Sequence, residues 1–116
     1  MILVLGGVGA GKKVYVSSLG YKDADFTSDP FDRRPVFAGL DDYIRENPAD
    51  TDKLFDALAR KDVVICAEVG SGVIPLERAE RVYRETVGRL CVKLAQESSA
   101  VVRVVAGIPV VIKGNV

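Results

Sequence analysis

The chain begins with a short apolar run, Ile2-Leu3-Val4-Leu5, that leads directly into a glycine-rich segment ending in two lysines. The segment reads Gly6-Gly7-Val8-Gly9-Ala10-Gly11-Lys12-Lys13. It follows the P-loop pattern G-x-x-x-x-G-K-[ST] at every position except the last. Backbone N–H groups between a buried strand and a helix can converge on a phosphate, and the lysine adds positive charge. We therefore predict that residues 6–13 bind phosphate and that Lys12 acts in catalysis. A tight strand-to-helix turn without a ligand is the alternative.

Lys13 occupies the position at which a P-loop normally has a Ser or Thr. That hydroxyl ligates Mg²⁺ on the β- and γ-phosphates, and an ammonium group cannot replace it as a ligand. Three interpretations of Lys13 are open: an exposed lysine of the first helical turn, a second phosphate contact, and the mark of a site that no longer needs Mg²⁺. The residue weakens the case for a Mg²⁺ cofactor and for phosphoryl transfer.

Composition argues against several classes of partner. The 116 residues include 16 basic and 16 acidic side chains, so no net charge attracts nucleic acid or an anionic membrane. No apolar run approaches the roughly 20 residues that span a bilayer, and the first run is too short for a signal peptide. We expect one cytoplasmic domain over residues 1–116, with Cys66 and Cys91 as reduced core thiols. The absence of histidine removes the commonest general base.

Segments typical of strands and of helices alternate along the chain. We predict strands at residues 2–5, 36–38, 63–66, 101–106 and 108–113, and helices at residues 12–19, 40–47, 51–60 and 75–96. Residues 21–35 are rich in Asp and Pro and are predicted to form a polar loop. The alternation indicates an α/β fold, a mostly parallel sheet of about four or five strands with flanking helices. Pro109 excludes a central place for the last strand, and the charged face of the longest helix is interpreted as solvent-exposed.

A second glycine-bearing loop follows the strand at residues 63–66. It reads Glu68-Val69-Gly70-Ser71-Gly72-Val73-Ile74-Pro75. Ligands of a parallel sheet gather at the carboxyl ends of its strands, so this loop and the P-loop should share one edge. Glu68 is a candidate catalytic and metal-site residue, able to hold Mg²⁺ or to accept a hydrogen bond from a substrate hydroxyl. A solvated glutamate, or a partner for a lysine, is the alternative. The aspartates within residues 23–32, together with Asp41 and Asp42, are interpreted mainly as loop and cap residues.

The two ends of the chain resemble one known family, the bifunctional adenosylcobinamide kinase and adenosylcobinamide-phosphate guanylyltransferase of cobalamin biosynthesis. The family opens with G-G-x-x-S-G-K-S, which residues 6–13 follow with Ala10 and Lys13 in place of the serines. Its later motif N-E-V-G-x-G-I-V-P resembles residues 67–75. Its helix motif R-x-x-G-R-x-N-x-x-L is similar to residues 84–94, and its ending V-x-G-x-P-x-x-x-K-G to residues 105–114.

The resemblance implies a nucleotide-binding P-loop protein that uses ATP or GTP and acts on a corrinoid. In the family, the γ-phosphate goes to the aminopropanol hydroxyl of adenosylcobinamide, and a histidine becomes covalently guanylylated. Arg34-Pro35 is similar to the dipeptide that follows that histidine, but this chain has none, so guanylyl transfer is not expected. The resemblance also implies a homo-oligomer. The alternative is a catalytically inactive relative that keeps nucleotide binding or a structural, oligomeric role.

Overall fold

The computed structural model describes residues 1–47, 51–68 and 77–116. Strands and helices alternate through these residues as predicted. The elements are β1 (Ile2–Gly6), α1 (Lys12–Ser18), a 3-10 turn (Asp23–Asp25), β2 (Phe26–Thr27), β3 (Val36–Ala38), α2 (Leu40–Glu46), α3 (Thr51–Ala59), β4 (Val63–Ala67), α4 (Arg78–Glu97), β5 (Ala100–Val105) and β6 (Ile108–Lys113). The predicted helix start at Pro75 and the glycines Gly70 and Gly72 lie outside the described residues.

The strands form one sheet in the order β2-β3-β4-β1-β5-β6. β1 lies between β4 and β5 and pairs with both in parallel, so that Leu3 stands opposite Val64 on one side and Val101 on the other. β2, β3 and β4 also pair in parallel, whereas β6 runs antiparallel to β5. The predicted α/β class with a mostly parallel sheet is confirmed, and Pro109 lies on the edge strand β6, as expected.

β2 makes the sheet larger than the four or five strands predicted. Phe26 and Thr27 pair with Val36 and Phe37 of β3. The two β2 residues are buried, with 8% exposure each. The prediction of an uninterrupted loop over residues 21–35 is therefore wrong at these two positions. A strand of two residues is too short to show alternation, and its Asp- and Pro-rich surroundings are typical of loops.

Apolar side chains fill a layer on each face of the sheet. Leu3 of β1 packs into the cluster that α2, α3 and α4 cover, whereas its neighbour Val4 packs into the cluster beneath α1. On α4, Val87, Leu90 and Leu94 face the sheet, as their helical spacing predicts. The alternation along β1 therefore places this strand between two packed layers. In the described part of the chain, no helix combines the length and apolar content needed to cross a membrane.

Cys66 on β4 and Cys91 on α4 are free thiols, the first buried and the second half-buried. A hydrogen bond with Cys91, together with complete burial, raises the pKa of the Cys66 thiol well above its usual value. A protonated, buried thiol behaves as a small apolar side chain. Cys66 is therefore a core residue, as the sequence predicts, and Cys91 is partly buried against the same core cluster.

Candidate functional site

The glycine-rich loop connects β1 to α1 at the carboxyl edge of the sheet. Gly9 and Gly11 have φ angles of 73° and 91°, in the left-handed region that glycine adopts without steric cost. The amide of Ala10 donates to the carbonyl of Gly7 at 3.2 Å, and the amide of Tyr15 donates to Gly11 at 3.0 Å. A tight turn thus leads directly into the first turn of α1, which is the strand-loop-helix arrangement that a P-loop requires.

Lys12 folds back over the loop that precedes it. Its Nζ atom donates hydrogen bonds to the carbonyl oxygens of Gly6, at 3.0 Å, and of Gly7, at 2.6 Å. Both acceptors are neutral, and hydrogen bonds to an ionised acceptor are roughly twice as strong. A phosphate that enters the loop can therefore draw the ammonium group away from these carbonyls.

A cavity of about 460 Å³ lies beside the loop, a volume typical of small-molecule sites. It is bordered by the loop, by α1, by the β3–α2 connection and by the end of β4. The lining residues are Gly9, Ala10, Gly11, Lys12, Lys13, Val14, Ala38, Gly39, Asp41, Ile65 and Ala67. The last five of the eight predicted phosphate-binding residues therefore border one cavity. Of the other three, Gly6 and Gly7 accept the bonds from Lys12, and Val8 is 97% exposed.

Lys13 borders the cavity and also contacts the β2 side of the molecule. Its Nζ atom lies 5.3 Å from the centre of the Phe26 ring, within the range of a cation–π interaction. The side chain is otherwise exposed. Lys13 is thus an exposed residue of the first helical turn that also stands at the wall of the cavity, where a second cation can face a phosphate.

Glu68 lies at the same edge of the sheet, directly after β4. Its amide donates to the carbonyl of Gly6 at 3.0 Å, which joins the end of β4 to the start of the P-loop. Its carboxylate accepts two hydrogen bonds from Arg103 of β5, from Nε at 2.6 Å and from Nη2 at 3.1 Å. This pairing raises the pKa of the Arg103 guanidinium. The carboxylate is therefore engaged by a basic partner, and Glu68 is not among the residues that line the cavity.

Asp41 is the carboxylate among the described lining residues of the cavity, and its place there was missed from the sequence. It lies in the first turn of α2, after Gly39, whose φ of 98° turns the chain at the end of β3. Its position just after a parallel strand was the available signal. Magnesium needs only one or two protein carboxylates when substrate phosphates complete its coordination. In residues 1–47, 51–68 and 77–116 there is no cluster of three potential metal ligands. A magnesium ion in this cavity would therefore be held by Asp41 together with phosphate oxygens of the substrate.

The turn between β5 and β6 closes the loop from the opposite side. The amide of Gly107 donates to the carbonyl of Ala10 at 2.8 Å. A Cβ atom placed on Gly11 would lie 3.2 Å from the Cα atom of Gly107, so the two backbones approach closely. The P-loop is therefore held by β4 through Glu68 and by the β5–β6 turn through Gly107.

A family model described as cobinamide kinase / cobinamide phosphate guanyltransferase matches residues 38–112. The match covers more than half of the 116 residues and contains Asp41, Glu68, Arg103 and Gly107. No curated protein sequence matches the chain. The P-loop precedes the matched range, but its strand β1 lies between β4 and β5, both of which the match includes. The chain therefore belongs to the cobinamide kinase / cobinamide phosphate guanyltransferase family, a nucleotide-binding family of cobalamin biosynthesis.

Proposed function

We propose that this protein binds ATP or GTP, with the triphosphate in the cavity beside the P-loop. The observation that carries the proposal is that Lys12, Lys13 and the loop residues 9–11 border the same cavity. Two ammonium groups next to a glycine-rich backbone are suited to a polyanion, because each phosphate can accept hydrogen bonds from both amides and ammonium groups. Membership of the family supports a nucleotide as that polyanion.

We further propose that the bound nucleotide donates its γ-phosphate to a hydroxyl group of a corrinoid. The hydroxyl oxygen bonds to the γ-phosphorus, the bond to the β–γ bridging oxygen breaks, and a nucleoside diphosphate leaves. Lys12 stabilises the charge on the transferring group, and Asp41, which borders the cavity, would accept the hydroxyl proton. If Asp41 instead holds Mg²⁺, the hydroxyl proton would pass to an oxygen of the transferred phosphate. Mg²⁺, when bound, neutralises charge on the phosphates. The proposal does not include guanylyl transfer, because the chain contains no histidine.

Calorimetric titration with ATP and with GTP, in the presence of EDTA, tests the binding site. We expect Lys12→Met to weaken both affinities by roughly tenfold or more, since a charge-assisted contact is worth about 1.5–3 kcal/mol. Lys93→Met is the matched control, because Lys93 is an exposed lysine of α4. No binding by the unaltered protein at millimolar nucleotide contradicts the proposal. Phosphate transfer to adenosylcobinamide, followed with γ-labelled ATP, tests the chemical step.

Lys13 separates the competing interpretations of the metal site. In Lys13→Ser the missing hydroxyl is restored, and we expect Mg²⁺ to tighten ATP binding relative to EDTA. Lys13→Met removes the same charge without adding a ligand, so Mg²⁺ should tighten its ATP binding less than that of Lys13→Ser. If Mg²⁺ tightens ATP binding equally in both variants, the ion is held without the hydroxyl. The missing hydroxyl at position 13 would then not weaken Mg²⁺ binding.

A structural role in a homo-oligomer is the second candidate, and the edge strand β6 favours it. All six residues of β6 are exposed, including Ile108 at 65% and Ile112 at 59%. An apolar edge strand of this kind readily pairs with another chain. Light scattering after size-exclusion chromatography should give a multiple of the 12.5 kDa chain mass, and Ile112→Lys should lower it. Nucleotide binding without phosphate transfer, in an oligomer that Ile112→Lys dissociates, would favour this candidate over the kinase.

A further inference from the structure

A further cavity, of about 350 Å³, lies at the amino ends of β3 and β4, between the segment before β3 and the end of α3. Its charged lining residues, which define this amino-edge cavity, are Asp32, Arg33, Arg34, Arg60, Lys61 and Asp62. β4 separates the cavity from the P-loop, because Asp62 precedes this strand and Glu68 follows it. Six residue steps of about 3.3 Å place these two ends of the strand about 20 Å apart. The amino-edge cavity is therefore distinct from the candidate nucleotide site.

Positive charge exceeds negative charge in this cavity, since four of the charged lining residues are basic and two are acidic. The carboxylate of Asp32 accepts a hydrogen bond from the Thr27 hydroxyl at 3.1 Å and lies 3.5 Å from the guanidinium of Arg34. The carboxylate of Asp62 accepts one from the Tyr21 hydroxyl at 3.4 Å. Two positive charges are left without a balancing carboxylate in the described lining.

Arg33 and Arg60 are the two unpaired basic side chains of the cavity. In the described part of the chain, neither guanidinium forms a hydrogen bond or an ion pair, and both residues are exposed. Arg34 differs, because its Nη1 atom donates to the carbonyl of Phe26 at 3.1 Å. A guanidinium group offers two parallel N–H donors that match the oxygens of a phosphate. The unpaired arginines are therefore available to an anionic ligand.

The buried Lys61 joins the two walls that carry the unpaired arginines. It is 7% exposed, and its Nζ atom donates to the carbonyl oxygens of Asp32 and Arg34. Next to it, the amide of Asp62 donates to the carbonyl of Pro35 at 2.9 Å. The segment before β3 is thus held against the end of α3 without a ligand. A site whose walls are already in place loses less conformational entropy on binding.

We propose that the amino-edge cavity binds a small organic phosphate, whose phosphate group is held by Arg33 and Arg60. A phosphate monoester carries about two negative charges at pH 7, which match the two unbalanced positive charges. The cavity has the volume of a small-molecule site. Phe31 also lines it and is 59% exposed, so its ring offers an apolar surface to the organic part of the ligand. This site does not depend on the proposed nucleotide binding.

Amide NMR spectra of the nitrogen-15-labelled protein test the proposal, because each shift is assigned to a residue. The protein is titrated with inorganic phosphate, phenyl phosphate and acetate at constant ionic strength. Amides of residues 31–34 and 60–62 report on the amino-edge cavity, and amides of residues 6–13 report on the P-loop. Binding at either place is therefore measured separately, and failure of one leaves the other test valid.

Two double variants of equal charge change identify the arginines that bind. Arg33→Met with Arg60→Met removes the unpaired guanidinium groups of the cavity. Arg78→Met with Arg81→Met is the matched control, because both are exposed arginines of α4 that line neither this cavity nor the one beside the P-loop. Circular dichroism melts report folding. The single variants Arg33→Met and Arg60→Met replace the double variant if its melting temperature falls.

We expect both phosphates to shift the cavity amides in a saturable way, with phenyl phosphate bound more tightly than inorganic phosphate. Loss of both cavity arginines should weaken binding roughly tenfold or more, whereas the α4 control keeps the affinity of the unaltered protein. Shifts confined to residues 6–13, or an unchanged affinity in the folded cavity variant, overturn the site. Acetate bound as tightly as phosphate overturns phosphate as the ligand. Phenyl phosphate bound no more tightly than inorganic phosphate overturns the organic part of the ligand.

Discussion

The amide of Gly107, in the turn between the last two strands, donates a hydrogen bond of 2.8 Å to the carbonyl of Ala10 at the centre of the P-loop. Gly11 lies at this contact, with a φ of 91° and with only 3.2 Å between the position of a Cβ atom and the Cα atom of Gly107. Because Gly11 has no side chain, the loop can adopt this backbone conformation and can also lie close to the β5–β6 turn. A side chain at position 11 would disturb both the conformation and the close approach.

We predict that Gly11→Ala lowers the free energy of unfolding by about 1–3 kcal/mol, because it adds backbone strain and a close contact to Gly107. It should also weaken nucleotide binding, since the loop must move away from the turn. Gly7→Ala is the stability control, because a Cβ atom there has no neighbour within 4 Å. Urea unfolding of the three proteins measures the difference. Equal stability of the two variants would mean that the contact at Gly107 is not maintained in solution.

Two matched substitutions, Glu68→Gln and Arg103→Gln, test the role of the ion pair between these residues. The Arg103 side chain is 52% exposed and that of Glu68 25%, so we expect a coupling of only about 0.2–1 kcal/mol in a double-mutant cycle. If Glu68 positions the P-loop through this pair, both substitutions should change ATP affinity alike, with and without Mg²⁺. A Mg²⁺ response lost in Glu68→Gln alone would instead assign the carboxylate to the metal.

Lys61 is a charged side chain that the fold buries, with 7% exposure. Its Nζ atom donates to the carbonyl oxygens of Asp32 and Arg34, which fixes the segment before β3. Lys61→Met should leave both carbonyls without this donor and lower the unfolding free energy by about 1–3 kcal/mol. Arg60→Met, at the exposed neighbouring position, should change it by less than about 0.5 kcal/mol. Urea unfolding distinguishes the two, and a similar loss in both would contradict the assigned role of Lys61.

The contact between α2 and α4 should make the melting temperature fall at acid pH. Arg45 donates to both carboxylate oxygens of Glu80, at 2.9 and 3.1 Å, and this lowers the pKa of Glu80. A carboxyl group with a lowered pKa contributes stability above the pKa of the unfolded chain, about 4.3, and loses it as the pH falls through the folded value. Between pH 6 and 3, the melting temperature should therefore fall less in Glu80→Gln than in the unaltered protein.

Glu85→Gln is the control for this pH dependence. Glu85 is on the same helix, but its side chain is 66% exposed and its nearest contact to Arg89 is 3.7 Å. We expect its melting temperature to follow that of the unaltered protein across the range. A Glu80 variant that loses stability with acid as steeply as the unaltered protein would show that the pair with Arg45 does not set the dependence.

Those elements of the fold whose signals are local could be predicted from the sequence. The apolar run before the glycines identifies β1, and the helical spacing of Val87, Leu90 and Leu94 identifies α4. β2 could not be predicted, because Phe26 and Thr27 form a strand only through pairing with β3. A local pattern of two residues carries no alternation to recognise.

The arrangement of the candidate site depends on contacts between residues far apart in the sequence. The partner of Glu68 is Arg103, on a strand that follows the longest helix, and no local pattern connects them. The place of Asp41 at the cavity follows from the turn at Gly39, which brings α2 to the edge where the P-loop lies. The burial of Lys61 could not be predicted from its charge, since lysine is almost never buried unless its ammonium group is paired.

The position of β1 within the sheet determines when the nucleotide site can form. Ile2 pairs with Val63 of β4 on one side and with Ala100 of β5 on the other. The glycine-rich segment precedes in the sequence both of the strands, β4 and β5, that enclose β1. Contacts of such long sequence separation form late, because the intervening chain must be ordered first. A nucleotide bound at the proposed site would therefore stabilise the protein only once β4 and β5 have paired with β1.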